Sequence, residues 1–264
     1  MSDQASPISV QTLLHSLALP ADSRVNQRVP KTLLLEHGAP TTADKRLINE
    51  GIEEIQWLAA IKPNISGVAE YRNDQREYLE LAILSITLRG LSDKAGKALR
   101  LAELLHRVVP YPMLLLIQNG DQLLLTLAHK RWSQSEAGKV VIDGELVVAT
   151  LPPHGLVASS VVDFYHSLAL NKQPQSHLNA LYQGWIDKVD ALKAAMKTGA
   201  FRPATNPEQA AKRRQALQSC ELLEAEVSQL RSQASKEKQV SRQVELNLAL
   251  KRVQAELNKQ SEAL

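Results

Sequence analysis

The fold of this chain is decided by one stretch, PYPMLLLIQNGDQLLLTLAHKRW, which occupies residues 110–132. Its two prolines fix their own φ angles and favour an extended entry into a strand. Two apolar runs then flank Asn119-Gly120, and this dipeptide is the strongest short-range signal for a tight β-hairpin. The stretch therefore predicts a buried hairpin with strands at residues 113–118 and 122–128, and it ends on the cationic segment His129–Trp132.

Two helices and one loop are predicted in the region before residue 63. Apolar residues recur at helical spacing from Ser9 to Leu19, and Pro20 ends the run. The polar segment from Ala21 to Val29 is expected to be a loop. The side chains of Thr41-Thr-Ala-Asp44 are suited to cap a helix, and apolar residues continue at helical spacing until Pro63. We therefore expect one amphipathic helix between these two points.

Strands and a further helix are predicted between this region and the hairpin. The pattern changes to strands at residues 65–71 and 76–89, with Asn73-Asp74 as the turn. Both faces of the second strand are largely apolar, which is typical of a central strand. Ser92-Asp93 would cap the next helix. The buried stripe of that helix is predicted to be Ala98, Leu101, Leu105 and Val108.

The region after the hairpin completes the predicted sheet. Residues 139–142 and 145–150, interrupted at Asp143-Gly144, predict either another hairpin or a bulged strand. The order is then helix, two strands, helix, and three or four strands. We therefore expect an α+β fold, with helices packed on a largely antiparallel or mixed sheet.

Three regions are expected along the chain. Residues 1–155 form the α+β domain, residues 156–201 form a helical extension packed on it, and residues 202–264 form a long C-terminal helix that resembles a coiled coil. Helices in the extension are predicted at residues 162–170 and 177–198, and a glycine follows the second as its C-cap.

The last region contains no Gly or Pro after Pro207 and favours one helix of roughly 80 Å, at about 1.5 Å per residue. Apolar residues in it follow two registers of alternating three- and four-residue steps, separated by the polar residues 235–239. This break is either a phase shift in one long helix or the corner where two helices fold back. The seam expected to self-associate or to bind a partner is Leu223, Val227, Leu230, Val244, Leu248, Leu250, Val253 and Leu257.

The composition excludes some classes of protein. The longest apolar run, residues 113–117, is too short to cross a bilayer, so we expect no membrane partner. Residues 1–11 lack the charged and apolar regions of a secretion signal, and Cys220 is the only cysteine, so no internal disulfide can form. We therefore expect a cytoplasmic protein. The net charge of +3 is only weak support for an anionic partner.

No established catalytic motif occurs in the sequence. Phosphate-binding loops of the types GxxxxGK[ST] and GxGxxG are absent, as is HExxH, and we expect no cofactor and no metal. The order of elements invites comparison with the restriction-nuclease core, which holds a divalent metal with an acid on one strand and an acid-x-Lys pair on the next. The candidate acids for this alternative, a metal-dependent nuclease, are Glu77, Glu80, Asp143 and Glu145. None of them is followed two residues later by a lysine on a strand, so we favour a protein that is not an enzyme.

Cations are concentrated around the hairpin. A helix packed beside it could present them on one surface, where phosphates bind and an aromatic ring stacks on a base. The alternative interpretation is a solvated helix face and the end of a strand. The residues predicted to contact nucleic acid are Lys97, Arg100, Arg107, His129, Lys130, Arg131 and Trp132.

Five blocks of sequence carry a family resemblance over about residues 9–201. They are KTLLLEHGAPTTADKRLINEGIEEIQWLAAIKP (31–63), EYLELAILSITLRG (77–90), RLAELLHRVVPYPMLLLI (100–117), LAHKRWSQSEAGKVVID (127–143) and LNALYQGWIDKVDALKAAMKTGAF (178–201). In this order they resemble the uncharacterised bacterial domain-of-unknown-function 4391 family. The C-terminal region lies beyond the strongest blocks.

The resemblance implies a biological setting but no chemistry. Members of that family look like companions of helicases and DNA methyltransferases in restriction-modification or antiphage-defence loci. It therefore implies an accessory or adaptor protein that binds such an enzyme, with DNA as a further partner. It implies no catalytic residues.

Overall fold

The chain has a mixed α+β fold. The computed structural model describes residues 9–90, 95–136, 138–151 and 158–264. Within these residues helices surround a six-stranded mixed sheet, and a long helical region follows at the C-terminal end. The predicted fold class is therefore confirmed.

The helices and strands of the described residues follow one another along the chain with short connections. In order they are α1 (Val10–Ser16), β1 (Arg24–Arg28), α2 (Lys31–His37), α3 (Thr42–Gly51), β2 (Ile52–Ile61), α4 (Pro63–Ser66), β3 (Tyr71–Arg72), β4 (Glu77–Tyr78), β5 (Leu81–Leu88), α5 (Ala95–Val108), β6 (Met113–Asn119), β7 (Gln122–Trp132), β8 (Val140–Leu151), α6 (Ala158–Ser167), α7 (Leu178–Thr198), α8 (Pro207–Lys236) and α9 (Val240–Glu262).

The large sheet has the strand order β1-β2-β5-β6-β7-β8 within the described residues. Each neighbouring pair is antiparallel except β5 and β6, which run parallel. Parallel neighbours need a crossover connection, and α5 supplies it. Strands β3 and β4 form a separate small hairpin. The position of β5 inside the sheet agrees with the prediction of a central strand.

The hairpin of β6 and β7 forms as predicted. Its pairing ends with Asn119 opposite Gln122 at the turn. Gly120 there has φ 58°, a left-handed conformation that glycine adopts without steric cost. Strand β7 extends beyond its predicted end to Trp132 and pairs with β8 along this part. The cationic segment 129–132 is therefore part of an interior strand.

Both faces of the large sheet are covered by helices. On one face, α5 buries Leu101, Leu104 and Leu105 against β2, β5 and β6. Burial of one leucine side chain is worth roughly 1.5–3 kcal/mol, so these contacts fix α5 on the sheet. On the other face, the buried Tyr182 of α7 donates its hydroxyl proton to the carbonyl of Met113, 2.7 Å away. This bond ties α7 to the start of β6.

Strand β1 lies in the segment that the sequence predicts as a loop, so that prediction is wrong for residues 24–28. Four of the five residues of β1 are exposed, and the strand therefore lacks the apolar alternation that marks a strand. Pairing with β2, for example Arg28 opposite Gln56, fixes it at the edge of the sheet. Tertiary pairing, and not local sequence, forms this strand.

The single helix predicted between Thr41 and Pro63 is also wrong, because its second half is strand β2. The helical half begins as predicted, with the hydroxyl of Thr41 accepting a hydrogen bond from the N–H of Asp44 at 3.1 Å. The register of β2 against β5 shifts at residues 52–54 and again at residues 57–59. Each bulge changes which face the following side chains occupy. Buried residues of β2 therefore recur at the three- and four-residue steps that are typical of a helix.

The strand predicted at residues 65–71 is largely absent, since α4 and an irregular segment precede the two-residue strand β3. The turn after it is confirmed. The side-chain oxygen of Asn73 accepts hydrogen bonds from the N–H groups of Gln75 at 3.0 Å and Arg76 at 2.7 Å. This Asx-type turn joins β3 to β4.

Two further predictions concern the buried stripe of helix α5 and the interruption in strand β8. Ala98, Leu101 and Leu105 are buried as predicted, whereas the capping pair Ser92-Asp93 lies outside the described residues. In β8 the bulged strand is the correct alternative. The pairing register slips opposite Ala128, and Gly144 in the bulge has φ 80°.

The described residues divide into two compact units. The first spans Met1–His154 and Val161–Val189, and the second spans Gly155–Ser160 and Asp190–Leu264. The first contains both sheets and the helices that cover them. The second contains the end of α7 together with α8 and α9.

The C-terminal region folds back on itself, so the single long helix is corrected to a helical hairpin. Helices α8 and α9 run antiparallel, as shown by the contact of Cys220 Sγ with Ser261 Oγ at 3.8 Å. The carboxylate of Glu237 accepts hydrogen bonds from the N–H groups of Lys238 and Gln239 at 2.8 and 2.9 Å. These bonds close the corner at the polar break, which was the second alternative for that segment.

Candidate functional site

The residues predicted to contact nucleic acid are distributed over different environments by the fold. Lys130 is the clearest correction, because it is only 2% exposed. Its Nζ donates to the backbone carbonyl of Val109 at 3.0 Å, where α5 has just ended. A cation is favoured at this negative end of a helix. Burial nevertheless lowers the pKa of Lys130 to about 7, since the interior disfavours the ammonium form.

A second buried base lies near Lys130. His106 is fully buried in α5, and its Nε2 lies 3.0 Å from the hydroxyl oxygen of Thr126. Its Nδ1 has no hydrogen-bond partner among the described residues. Burial, and then the nearby amine of Lys130, hold the pKa of His106 well below 6.5. The amine of Lys130 thus disfavours the charged form of His106, and the sequence gives no signal that the two side chains lie close together.

His129 belongs to a directional chain of hydrogen bonds. The buried Tyr78 has a pKa raised to about 12 by burial, so its hydroxyl keeps its proton. That hydroxyl donates to Nδ1 of His129 at 2.5 Å, and Nε2 then donates to the side-chain oxygen of Gln183 at 2.8 Å. The amide of Gln183 donates in turn to Asp187 at 2.7 Å. His129 therefore joins β4, β7 and α7 and does not lie on an exposed cationic surface.

Arg131 and Trp132 are half-buried at the junction of β7 with its neighbours. Nε of Arg131 lies 3.4 Å from a carboxylate oxygen of Asp143, which also binds Arg76. The backbone N–H of Trp132 donates to the carbonyl of Gln75 at 2.8 Å. Both residues thus connect β7 to β8 and to the turn before β4.

Arg100 forms a two-point ion pair with a buried carboxylate. Its Nε and Nη2 donate to the two oxygens of Asp44 at 2.8 and 3.0 Å, and Nη1 donates to Glu103 at 3.0 Å. The hydrogen bonds from Arg100 and Thr41 lower the pKa of Asp44 to about 2. This pair joins α3 to α5.

Lys97 and Arg107 are the two residues of the predicted set that are exposed on α5. They are ten positions apart, which is about 80° around the helix and roughly 15 Å along its axis. Because Lys130 is buried and Arg100 and Arg131 are ion-paired, the predicted residues do not form one continuous exposed cationic surface. Contact of these two side chains with nucleic acid stays a prediction.

The candidate acids of a nuclease site each have a different setting. Glu77 lies 3.0 Å from Arg72, and Glu80 lies 3.4 Å from Lys62. Asp143 is held by two arginines, and Glu145 is exposed. Within the described ranges, no group of three or more His, Cys, Asp or Glu side chains is arranged to hold a metal ion. Strand β5, the central strand near which the candidate acids Glu77 and Glu80 lie, itself contains no Asp, Glu or Lys.

A groove of about 840 Å³ runs along β8, the last strand of the sheet. Its facing wall consists of α5, with Glu103 and Arg107, and of the connection from α2 to α3 at residues 38–40. On the strand side the groove is lined by residues 139–142 and 144–146. Side chains of a strand alternate between its faces. Consecutive lining residues therefore indicate that the groove follows the edge of β8.

A second cavity, the apolar cleft, has a volume of about 400 Å³ and lies between α2, α5 and the sheet. Trp57 and Leu84 are among its walls, and Leu33 and Tyr111 at its mouth are 47% and 37% exposed. Arg28 of the edge strand also lines it. Sequence reasoning missed this cleft, because its residues come from separate elements and form no motif.

The predicted seam of the C-terminal region is divided by the helical hairpin. Val227 and Leu257 are buried, while Val244 and Leu248 are each 53% exposed. The other four seam residues, Leu223, Leu230, Leu250 and Val253, are half-buried. Self-association through the exposed pair stays a prediction.

The chain is a mixed α+β protein whose described residues form the groove along β8 and the apolar cleft. No helix in the described part of the chain is both long enough and apolar enough to span a membrane. The family model for Domain of unknown function (DUF4391) matches residues 17–257, so the chain belongs to that family. No curated protein and no solved structure matches the chain.

Proposed function

We propose that this chain is a non-catalytic accessory protein that binds a protein partner in the groove along β8. The observation that supports this function is an unpaired strand edge, within the described residues, that faces a helix across a groove of about 840 Å³. A partner segment can add to such an edge as a further strand, with backbone hydrogen bonds for affinity and side-chain contacts for specificity.

The edge strand has the composition of a strand that is used for pairing. Exposed sheet edges are normally protected by lysine, by proline, by shortness or by β-bulges. Strand β8 is 12 residues long and contains neither Lys nor Pro, and five of its residues are Val or Ile. Its bulge at Gly144 leaves Val140–Asp143 as the regular part beside the groove.

The occupant that fits the groove is a single extended segment of another protein. In a pair of identical chains, each β8 would have to enter the groove of the other. The wall formed by α5 and residues 38–40 lies beside β8 in each chain. In such a pair, this wall of one chain would clash with the same wall of the other chain. An isolated segment carries no such wall.

The family resemblance supports the biological setting of this proposal. It points to a partner helicase or DNA methyltransferase of a bacterial antiphage-defence or restriction-modification system, with DNA as a further ligand. Arg107 and Glu145 on opposite walls of the groove form no ion pair with any described residue, so they can contribute to partner specificity.

The test is co-purification with the products of the neighbouring genes, and we expect the bound protein to be a helicase or a DNA methyltransferase. The variant Arg107→Glu/Glu145→Lys exchanges two of the charges that line the groove and keeps the net charge. We expect it to weaken the complex roughly tenfold or more, since like charges in an interface cost several kcal/mol. The control, Lys97→Glu, changes an exposed cation of α5 that does not line the groove and should bind normally. A complex with unchanged affinity for the groove variant would contradict the proposed site.

A nuclease assay separates the proposal from the enzymatic alternative. Supercoiled DNA is incubated with the purified chain and magnesium or manganese. We expect no nicking. Metal-dependent nicking that disappears in Glu80→Ala would overturn the non-catalytic function.

A further inference from the structure

The apolar cleft is deep as well as open. It reaches from Leu33 and Tyr111 at the surface to Ala82 and Leu84 on the central strand β5. Both strand residues are at most 5% exposed. Its volume of about 400 Å³ lies within the range of small-molecule pockets, roughly 300–1,000 Å³. A ligand that filled the cleft would therefore insert between the helices and the sheet.

One cation lines the cleft, and two further cations lie near it. Arg28 lines it directly, and Lys31 follows the lining residue Pro30. Lys31 is close enough to Arg28 and Arg89 for their positive charges to act on it. Burial first, and then the charges of Arg89 and Arg28, lower the pKa of Lys31. An anion at this position would relieve that repulsion.

These cations are only partly neutralised by the protein. Nε of Arg28 lies 3.7 Å from a carboxylate oxygen of Glu54, and the Arg28 side chain is 73% exposed. The negative charge of Glu53 acts on Lys31 and offsets part of the lowering of its pKa. Arg89 is exposed and forms no ion pair with any described residue. Lys31 donates to the backbone carbonyls of Asn49, at 3.4 Å, and Ile52. The rim therefore has donors available for a ligand.

We infer that the apolar cleft binds a free amphiphilic carboxylate, with its alkyl chain against Trp57 and Leu84 and its carboxylate at Arg28, whose positive charge is reinforced by the nearby Lys31 and Arg89. The volume of the cleft, which lies in the range of small-molecule sites, and the cation in its lining favour this occupant. This site is separate from the groove along β8, and the inference does not depend on the proposed function.

Decanoate is the probe, and the full-length chain is titrated with it by calorimetry and by the fluorescence of Trp57, a tryptophan in the cleft wall. We expect saturable binding with one site. Decanol and decyltrimethylammonium have the same chain without the negative charge, and they should bind roughly tenfold more weakly or not at all, since tenfold is 1.4 kcal/mol. Equal binding of all three would contradict the role of the cations.

The chain length of the probe tests the cavity itself. From hexanoate to decanoate, affinity should rise roughly threefold to fourfold per methylene, because each buried methylene contributes about 0.8 kcal/mol. The rise should stop when the cleft is filled. Affinity that keeps rising to hexadecanoate, without saturation, would identify adsorption on the surface and would overturn the inference.

The variant Arg28→Glu/Arg89→Glu tests whether these two arginines attract the carboxylate of the ligand. It should weaken decanoate binding at least tenfold. The matched control Arg24→Glu/Lys45→Glu makes the same change in net charge at exposed positions outside the cleft, and it should bind decanoate like the unmodified chain. If decanoate does not bind and the charge variant instead disrupts the complex with the partner enzyme, the cleft is a protein-docking site and the inference is wrong. If the groove variant binds the partner protein normally while decanoate still binds to the cleft, only the proposed function is contradicted.

Discussion

Lys130 and Arg100 were predicted to share one cationic surface, and the fold gives them opposite environments. Lys130 is buried with a single carbonyl acceptor, and its pKa falls to about 7. Arg100 is about one-third exposed and holds both oxygens of Asp44, which raises the pKa of the guanidinium. The two residues differ in whether a counter-charge is present.

The comparison shows why position along the sequence does not decide what a cation does. A buried amine without a carboxylate loses its charge near neutral pH, because desolvation is not offset by an opposite charge. A guanidinium with a carboxylate in fork geometry keeps its charge and joins two helices. Lys130 therefore makes the stability of the fold depend on pH near neutrality, whereas the ion pair of Arg100 with Asp44 stays charged at neutral pH.

The largest expected effect is the dependence of stability on the proton of Lys130. The amine has a pKa of about 7 in the fold and about 10.5 in the unfolded chain. Between these values the unfolded chain binds more protons, so the free energy of unfolding rises with pH, by up to about 4 kcal/mol. Lys130→Met should remove this rise. Urea denaturation at several pH values between about 7 and 10 measures it.

Three other buried groups limit this window. Burial raises the pKa of Tyr78 to about 12 and raises that of Tyr182 well above 10, so their ionisation in the unfolded chain lowers stability above about pH 10. The low pKa of His106 lowers stability only as pH falls below 6.5. The matched variant Lys97→Met alters an exposed lysine and should retain the rise. A rise that persists in Lys130→Met would refute the assignment.

The next effect concerns the ion pair of Arg100. Arg100→Ala leaves the buried carboxylate of Asp44 without its two charged donors, and we expect unfolding to become easier by about 1–3 kcal/mol. The pKa of Asp44, about 2 in the intact chain, should return toward or above 3.8. The stability from this pair is present above pH 3.8 and is lost as pH falls toward 2.

The measurement combines urea denaturation with an NMR titration of the Asp44 carboxyl. Asp44→Asn/Arg100→Ala is the informative control, because it removes both charges. It should be no less stable than Arg100→Ala, since no unpaired buried carboxylate remains. A pKa of Asp44 that stays at about 2 in Arg100→Ala would show that Thr41 alone maintains it.

The parts of the fold with strong local signals were predictable from sequence. The Asn119-Gly120 turn, the buried stripe of α5 and the long α7 each have an uninterrupted period and a clear end. Strand β1 was missed because its exposed residues have no alternation, and β2 was misassigned because bulges disrupt its alternation. Those strands depend on pairing with distant residues, which a local pattern does not report.

The candidate site was less predictable for a related reason. Lys130 is buried and Lys97 is exposed, because one face of β7 packs against the end of α5. The order of the cations along the sequence does not show which face this is. The apolar cleft brings together Arg28, Trp57 and Tyr111 from three separate elements. The sequence does not predict whether the chain turns at Glu237, because a polar break is equally compatible with a phase shift in one long helix and with two helices that fold back on each other.

The smallest expected effect concerns the exposed cations Lys97 and Arg107. Each change to alanine should alter the free energy of unfolding by less than about 0.5 kcal/mol, because neither side chain is buried or paired with a described residue. If these residues contact DNA phosphates as the sequence predicts, each change should also reduce the log-log salt dependence of DNA affinity by about one. Lys130→Met should leave that slope unchanged, since a buried amine releases no counterion. Fluorescence anisotropy with duplex DNA at several salt concentrations measures the slopes, and equal slopes for all three variants would remove nucleic-acid contact from these side chains.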